Sequence, residues 1–406
     1  MKTPILFLSD AVSSSSGLGR ITRDLATRLH EHCSDVFDVA SVGYGGQGSR
    51  SVPFREYHVH SVDNWLVPEL PEVWDDWAQG REGILFVVWD MSRLYWLGTP
   101  QLCPNPHLRR FAERKDVKKW AYHAIDAEGP FGKLSHGIAE TMTGFDRVLD
   151  YSEFSCRITG NTEHLPHGID TGIFKPQPRH EARAGVIKSG FTGLTGTSLL
   201  IGIVATNQAR KNWQLGMATA RILLNQGHDV RLWCHTDVLD RYWSIPNLIV
   251  DYGLQGRVAV TTQRFTDAQL ASMYCACDVT LGIAPEGFGY PIAESLACGV
   301  PCICGRYGAQ AEFAPKSMQV DPNAYFYEGA FCSKRPVHSA DAWAFKVERV
   351  LKNNYTGSLL PQRVDWNGST LWPAWEKWFR ARLETPGLPS AADLDAIAGE
   401  EELKKL

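Results

Sequence analysis

The chain has 406 residues, of which 44% are hydrophobic and 21% are charged, and its formal net charge is −4. This length predicts two or three domains that each bury a core, and the composition is that of a globular protein. The small negative charge excludes an overall field that would attract nucleic acid or anionic lipid, so such a partner would need a local basic patch.

The first half of the chain predicts short strands that alternate with helices. Apolar residues at helical spacing between Leu18 and Leu29 predict the first helix. The predicted strands of this half are 5–8, 36–42, 84–88, 119–124 and 147–151. Alternation of this kind is typical of a doubly wound α/β sheet.

A second series of alternating elements follows the first. Its predicted strands are 199–205, 230–234, 248–250, 258–261 and 279–283, and its predicted helices are 215–224 and 267–275. The chain therefore predicts a second α/β unit of similar size, and ligands of open α/β sheets lie at the carboxyl ends of the strands.

The most informative motif lies in this second unit and reads Glu286-Gly-Phe-Gly-Tyr-Pro-Ile-Ala-Glu294. Pro291 suits the first turn of a helix, so Glu286 should lie in the preceding loop and Glu294 about one turn into the helix. Free N–H groups at a helix start attract phosphate oxygens. Two carboxylates beside them suit a polyhydroxyl ligand that carries a diphosphate, such as a nucleotide-sugar.

This motif resembles the Glu-x7-Glu motif of the retaining glycosyltransferases of family 4, which have the GT-B fold. The resemblance covers roughly residues 1–30 and 120–380 and is strongest in the second unit. It implies two Rossmann-like domains that face a central cleft. The expected parts are an acceptor domain at 1–175, a donor domain at 176–365, a helix at 366–385 that crosses back to the first domain, and a polar tail at 386–406.

An aromatic stripe supports the expected crossover helix. Aromatic residues three or four positions apart form a stripe on one face of a helix. The stripe consists of Trp372, Trp375, Trp378 and Phe379. We interpret this stripe as core packing.

The resemblance also assigns donor-binding roles. It implies that Glu294 binds the ribose hydroxyls and that Glu286 binds the hydroxyls of the donor sugar. The amides of Gly287, Phe288 and Gly289 would support that sugar.

The same resemblance places Lys211 at the donor diphosphate. The family usually has an arginine five residues earlier, where this chain has Thr206, so Arg210 is the candidate for the second cation. Cations that meet the charge developing on the leaving diphosphate are usually the largest catalytic contribution. The basic groups would do the work of a metal, so we expect neither a metal nor a cofactor.

Two segments of the first unit complete the expected site. Gly17 and Gly19 follow the first strand and resemble the family's first loop, which faces the diphosphate and the acceptor. His123 aligns with a family histidine that contacts the transferred sugar, and Asp126 is a candidate for the acceptor side. The expected catalytic residues are His123, Arg210, Lys211 and Glu286.

A basic segment suggests a different kind of acceptor. The cations between residues 109 and 119 are Arg109, Arg110, Arg114, Lys115, Lys118 and Lys119. The ordinary interpretation is a solvated helix face. The alternative is a patch for an anionic acceptor, either a lipid head group or DNA phosphates, which makes Arg109 and Arg110 acceptor-side candidates.

Together these residues predict a retaining glycosyltransferase that moves a sugar from a nucleoside-diphosphate-sugar to a hydroxyl of a glycan, a lipid-linked acceptor or a small molecule. Three alternatives stay open: a phage-type enzyme acting on a hydroxymethylated DNA base, a sugar phosphorylase or epimerase, and a non-catalytic nucleotide-sugar-binding module. No apolar run has the length of a signal peptide core or membrane helix, and the ten cysteines suggest no disulfide scaffold, so the cytoplasm is the expected location.

Overall fold

The computed structural model describes residues 2–14, 16–45, 51–59, 65–188, 191, 193–329, 331–353 and 355–384. These residues form two six-stranded parallel sheets and one two-stranded hairpin. Within this part of the chain, no helix combines the length and the apolar character needed to cross a membrane. The predicted tail at 386–406 lies outside the described residues.

The first sheet has the strand order β3-β2-β1-β4-β5-β6. Its strands are β1 (Thr3–Asp10), β2 (Phe37–Tyr44), β3 (Arg55–Val59), β4 (Gly83–Val87), β5 (Val117–His123) and β6 (Arg147–Asp150). Its helices are α1 (Gly17–His32), α2 (Leu70–Ala78), α3 (Tyr95–Gly98), α4 (Pro106–Ala112), α5 (His136–Thr143) and α6 (Glu153–Thr159).

The central strand β1 shows why this sheet is parallel and buried. Ile5 and Phe7 pack into one apolar cluster, whereas Leu6 and Leu8 pack into another. Successive side chains of a strand point to opposite faces, so an unbroken apolar run requires helices on both faces of the sheet. Leu8 pairs with Val42 of β2 on one side and with a residue of β4 on the other.

The second sheet repeats this arrangement with the order β12-β11-β10-β7-β8-β9. Its strands are β7 (Leu199–Val204), β8 (Val230–His235), β9 (Val258–Thr261), β10 (Val279–Gly282), β11 (Cys302–Gly305) and β12 (Gln319–Val320). Its helices are α7 (Arg179–Lys188), α8 (Trp213–Asn225), α9 (Ile245–Asp251), α10 (Asp267–Ala276), α11 (Tyr290–Ala297) and α12 (Gln310–Phe313).

Three elements follow the second sheet. They are the antiparallel hairpin of β13 (Ala324–Glu328) and β14 (Ser333–Val337), and the helices α13 (Ala340–Leu351) and α14 (Leu371–Glu384). In each sheet the strand order reverses once, between β1 and β4 and between β7 and β10. Such switch points open a crevice at the carboxyl ends of the strands, where ligands of doubly wound folds bind.

The strand predicted at 248–250 is wrong, because these residues lie in helix α9. Proline occupies the first turn of this helix, where its missing N–H is not needed. Leu248 and Ile249 follow the buried Ile245 by three and four residues and pack with it against the core. A three-residue apolar run does not distinguish a strand from one side of a short helix.

Helix α14 packs its aromatic stripe on the first sheet. The Trp375 ring lies 4.9 Å from the ring of Tyr122, and the Trp378 ring lies 5.4 Å from that of Trp120. Trp375 also donates from Nε1 to the Pro166 carbonyl at 2.9 Å. The last described helix of the chain is therefore part of the core that supports strand β5.

We expect Trp375→Ala to lower the free energy of unfolding by about 3–5 kcal/mol, because it leaves a large cavity and an unpaired carbonyl. Urea denaturation followed by circular dichroism measures this loss. The matched control is Lys377→Ala, which changes an exposed side chain of the same helix. Equal stability of the two variants would contradict the packing role of α14.

Candidate active site

The two domains approach each other at the loop that precedes α11. A Cβ atom added to Gly287 would lie 2.8 Å from the Ala124 Cβ, at the end of β5. Only glycine allows this approach without displacing one domain. Gly289, with a φ angle of 101°, then begins α11 in a conformation that other residues rarely adopt. The sequence motif thus forms the floor of an interdomain cleft, with Glu286 before the helix and Glu294 inside it.

Three cations and two carboxylates meet in this cleft, and we call Asp126, Arg210, Lys211, Glu286 and Arg335 the charge cluster. Lys211 Nζ bonds to Glu286 Oε1, and Arg210 Nη1 lies 3.3 Å from Glu286 Oε2. Arg210 Nε lies 3.2 Å from Asp126 Oδ2 across the cleft. Arg335 Nη1 approaches the other oxygen of Asp126 at 3.1 Å.

Burial and charge set the ionisation of the cluster. Burial, and then the neighbouring Arg210, lower the pKa of Lys211 to about 8, so its ammonium group is still mainly charged at neutral pH. Burial opposes ionisation of Glu286, but the charges of Lys211 and Arg210 hold the pKa of Glu286 below its ordinary value. The pKa of Asp126 is lowered in the same way, with burial outweighed by Arg210 and Arg335. Glu328 lies 3.2 Å from Arg335 Nε, so the cations of the cluster are balanced by carboxylates, and an anionic ligand would have to share Lys211 and Arg210 with Glu286.

Glu294 has partners from both domains. Arg20 of α1 bonds through Nη1 to Glu294 Oε1, and the Tyr274 hydroxyl donates to Oε2 at 2.8 Å. The Arg20 guanidinium also lies 4.5 Å from the ring centroid of Tyr290. Burial outweighs these partners and raises the pKa of Glu294. The carboxylate predicted to bind ribose is therefore engaged by the first domain.

The glycine loop after β1 lies beside this contact. A Cβ on Gly19 would approach the Ala11 carbonyl oxygen to 2.4 Å, so glycine is required for the tight turn into α1. Gly17 lies next to Tyr290, because a Cβ there would be 3.5 Å from the Tyr290 ring. The structure thus brings Gly17 to the start of α11, whereas Gly19 serves the turn itself.

The side chains of two predicted residues are buried. His123 is fully buried, and its Nε2 lies 3.0 Å from Asp150 Oδ1 at the end of β6. Its contact with a sugar stays a prediction. The Phe288 ring is buried against His167, with ring centroids 3.9 Å apart, so only the backbone of Phe288 is suited to ligand binding.

The basic segment makes its described contacts inside the first domain. Arg114 bonds to Asp75 and Asp116, and Lys119 donates to the carbonyls of Leu97 and Ala112. Arg109 and Arg110 are both exposed, and Arg109 donates to the Cys103 carbonyl. Part of the positive charge is thus used by the fold, which weakens the segment as a continuous anionic-acceptor patch.

Sequence reasoning did not identify Arg20, Tyr274 and Arg335 as site residues. Arg20 ends the Gly-Leu-Gly-Arg loop, so its place after the first strand was an available signal. Tyr274 lies on α10 and Arg335 on β14, and no local pattern marks either residue. Only the three-dimensional approach of separate segments shows their role.

The second unit of the chain matches a known protein family. Residues 198–353 match the family described as glycosyl transferases group 1. A stretch of 150 residues is 26% identical to the MMP alpha-(1->4)-mannosyltransferase of Mycolicibacterium hassiacum. The aligned stretch spans 36% of this chain and 32% of that relative.

Solved structures resemble the whole chain. A sucrose-phosphate synthase from Thermosynechococcus elongatus has a TM-score of 0.64 at 16% identity, with 100% of both chains covered. Anabaena HepE in complex with UDP and glucose has a TM-score of 0.63 at 14% identity, again with 100% of both chains covered. The protein has the GT-B fold, and its second domain carries the match to the glycosyl transferases group 1.

Proposed function

We propose that the protein is a retaining glycosyltransferase that moves a sugar from a nucleoside-diphosphate-sugar to an acceptor hydroxyl. The observation that carries this proposal is the placement of Arg210, Lys211 and Glu286 around the start of α11, in the cleft of a GT-B fold. Both cations are held by a carboxylate and are mostly buried, so they are positioned before a ligand enters.

The leaving diphosphate would lie between Lys211 and the first amides of α11. Cleavage of the sugar–phosphate bond builds negative charge on the diphosphate, and fixed cations in a water-poor cleft stabilise it. Glu286 would release part of its contact with Lys211 and accept hydrogen bonds from the donor sugar. This set of residues supports diphosphate departure without a metal.

The anomeric configuration of the sugar is retained when the acceptor oxygen attacks the face from which the diphosphate leaves. The acceptor oxygen forms its bond to the anomeric carbon as the bond to the phosphate oxygen breaks, and the acceptor proton passes to that phosphate oxygen. The proposal needs no protein nucleophile. Asp126 would orient the acceptor, because its carboxylate is held ionised at the first-domain side of the charge cluster.

The nucleotide would bind beside Glu294. Ribose hydroxyls donate well to a carboxylate, and Arg20 would have to share or release Glu294 to admit them. HepE, a structural neighbour, has been solved with UDP and with UDP-glucose, so UDP-sugars are the first donors to test.

We expect slow nucleoside diphosphate release from one donor in a panel of UDP-, GDP- and ADP-sugars without acceptor. Glu286→Ala and Lys211→Ala should each lower the release rate by about a hundredfold or more, because each removes a group that meets the transition state. The measurement is a coupled nucleotide assay. Lys352→Ala, which removes an exposed lysine at the end of α13, should match the unchanged protein.

Two other results would contradict the proposal. Thermal stabilisation by a nucleotide-sugar without any turnover, even with acceptors added, would identify a binding module. No stabilisation and no release with any donor would reject the donor site itself.

The charge state of Lys211 predicts the pH dependence of donor use. With a pKa of about 8, Lys211 is charged below this pH and loses its charge above it. The value of kcat/KM for the donor, which reports the free enzyme, should therefore fall by about tenfold per pH unit above about 8. Lys211→Arg should remove this falling limb, because a guanidinium keeps its charge. An unchanged limb in that variant would assign it to another group.

A further inference from the structure

Exposed aromatic side chains lie on two segments that contact each other beside the charge cluster, the hairpin and the loop after β5. The hairpin of β13 and β14 contributes Tyr325, Phe326, Tyr327 and Phe331, which are 44–55% exposed. The loop after β5 contributes Phe131, which is 98% exposed. We call these five residues the aromatic rim. Clustered exposed aromatics are unusual on a protein surface and mark sites of interaction.

The rim is connected to the charge cluster by the loop after β5. This loop starts at Ala124 beside Gly287, and Asp126 then contacts Arg210 and Arg335. Glu128 comes next and lies 2.7 Å from Lys334 Nζ on the hairpin. The Glu128 carbonyl also accepts from the Lys334 backbone N–H at 2.7 Å. Phe131 follows Glu128 by three residues on the same loop.

Phe131 is held in an unfavourable state. Its φ angle is 58°, in the left-handed region, and its ring is almost wholly in water. The turn around it is closed by a hydrogen bond from Gly129 N–H to the Lys133 carbonyl at 2.7 Å. A strained backbone together with an exposed aromatic ring indicates that the side chain acts on something outside the fold.

The charges near the rim favour a neutral ligand. Lys334 is paired with Glu128, and Arg335 is paired with Asp126 and lies 3.2 Å from Glu328. Lys133 beside Phe131 adds one exposed cation, while Glu128 and Glu328 supply carboxylate acceptors. Aromatic faces pack on the C–H faces of sugar rings, and the tyrosine hydroxyls and carboxylates accept from sugar hydroxyls. Anionic lipid or DNA would need more free cations.

We propose that the aromatic rim docks a neutral oligosaccharide chain whose terminal hydroxyl enters the cleft as the acceptor. This inference rests on the proposed glycosyltransferase function and adds the class of acceptor. Tyr325 and Tyr327 share one face of the hairpin with Lys334, whereas Phe326 lies on the opposite face with Arg335. The face with the two tyrosines and Phe131 would hold sugar units of the chain, while the charge cluster holds the donor.

The test is direct binding without nucleotide, measured by saturation-transfer-difference NMR and calorimetry. The probes are maltohexaose, cellohexaose, mannohexaose and chitohexaose, each added to the full chain. We expect at least one probe to bind, and Phe131→Gly and Tyr327→Ser each to weaken that binding by about tenfold. The matched control is Phe345→Ser, which removes an exposed phenylalanine from α13 and should bind like the unchanged protein.

Phe131→Gly adds a readout that a structural role would not give. Glycine relieves the positive φ angle and removes an exposed apolar ring, so this variant should unfold at a higher temperature while it binds saccharide less well. A lower melting temperature would mean that Phe131 serves the fold and would overturn the proposal.

Other results would also overturn it. If none of the four probes binds, or if the rim variants bind like the control, the rim is not a saccharide site. If the rim variants instead lose binding to phosphatidylcholine–phosphatidylglycerol vesicles, the rim is a membrane contact. Because no donor is present, these outcomes are separate from a failure of nucleotide release, which would reject the proposed transferase and not the saccharide binding.

Discussion

The mutual neutralisation of buried charges between the two domains is the constraint on which the rest of the structure depends. Buried cations are strongly destabilising unless carboxylates lie next to them. Lys211 and Glu286 pair within the second domain, whereas Arg210–Asp126 and Arg20–Glu294 pair across the two domains. Arg210 belongs to the second domain and Asp126 to the first, and their contact joins the two sides of the cleft. Gly287 allows the backbone of the two domains to meet at the same point. Ion pairs between the domains and the missing side chain of Gly287 thus allow the two domains to stay in close contact.

The two sheets explain why this contact forms where it does. Each sheet reverses its strand order once, and each places its loops at the carboxyl ends of the strands. The charged residues come from loops after β5, β7 and β10 and from the added hairpin. The hairpin is the only one of these that lies outside the two doubly wound sheets, and it reaches the first domain through Lys334 and Arg335.

Much of the fold could be predicted from the sequence, because unbroken apolar runs of four or five residues, such as 5–8 and 84–88, are typical of buried parallel strands. The glycines and Pro291 of the Glu286 motif likewise indicated a loop followed by a helix. The short segment 248–250 was misread because three apolar residues carry no period. The pairings of Arg20 with Glu294 and of Arg335 with Asp126 could not be predicted, because each joins segments that are distant in sequence, and β14, which carries Arg335, has no local signature.

Arg20 would compete with a ribose for the Glu294 carboxylate, because the two side chains are already hydrogen-bonded to each other. If Glu294 serves the ribose, an incoming nucleotide exchanges an intramolecular ion pair for intermolecular hydrogen bonds, and the net gain at that carboxylate is small. Affinity would then come mainly from the diphosphate at Lys211 and Arg210, so a nucleoside alone would bind weakly. Re-formation of the Arg20–Glu294 bond would then favour release of a nucleoside diphosphate product.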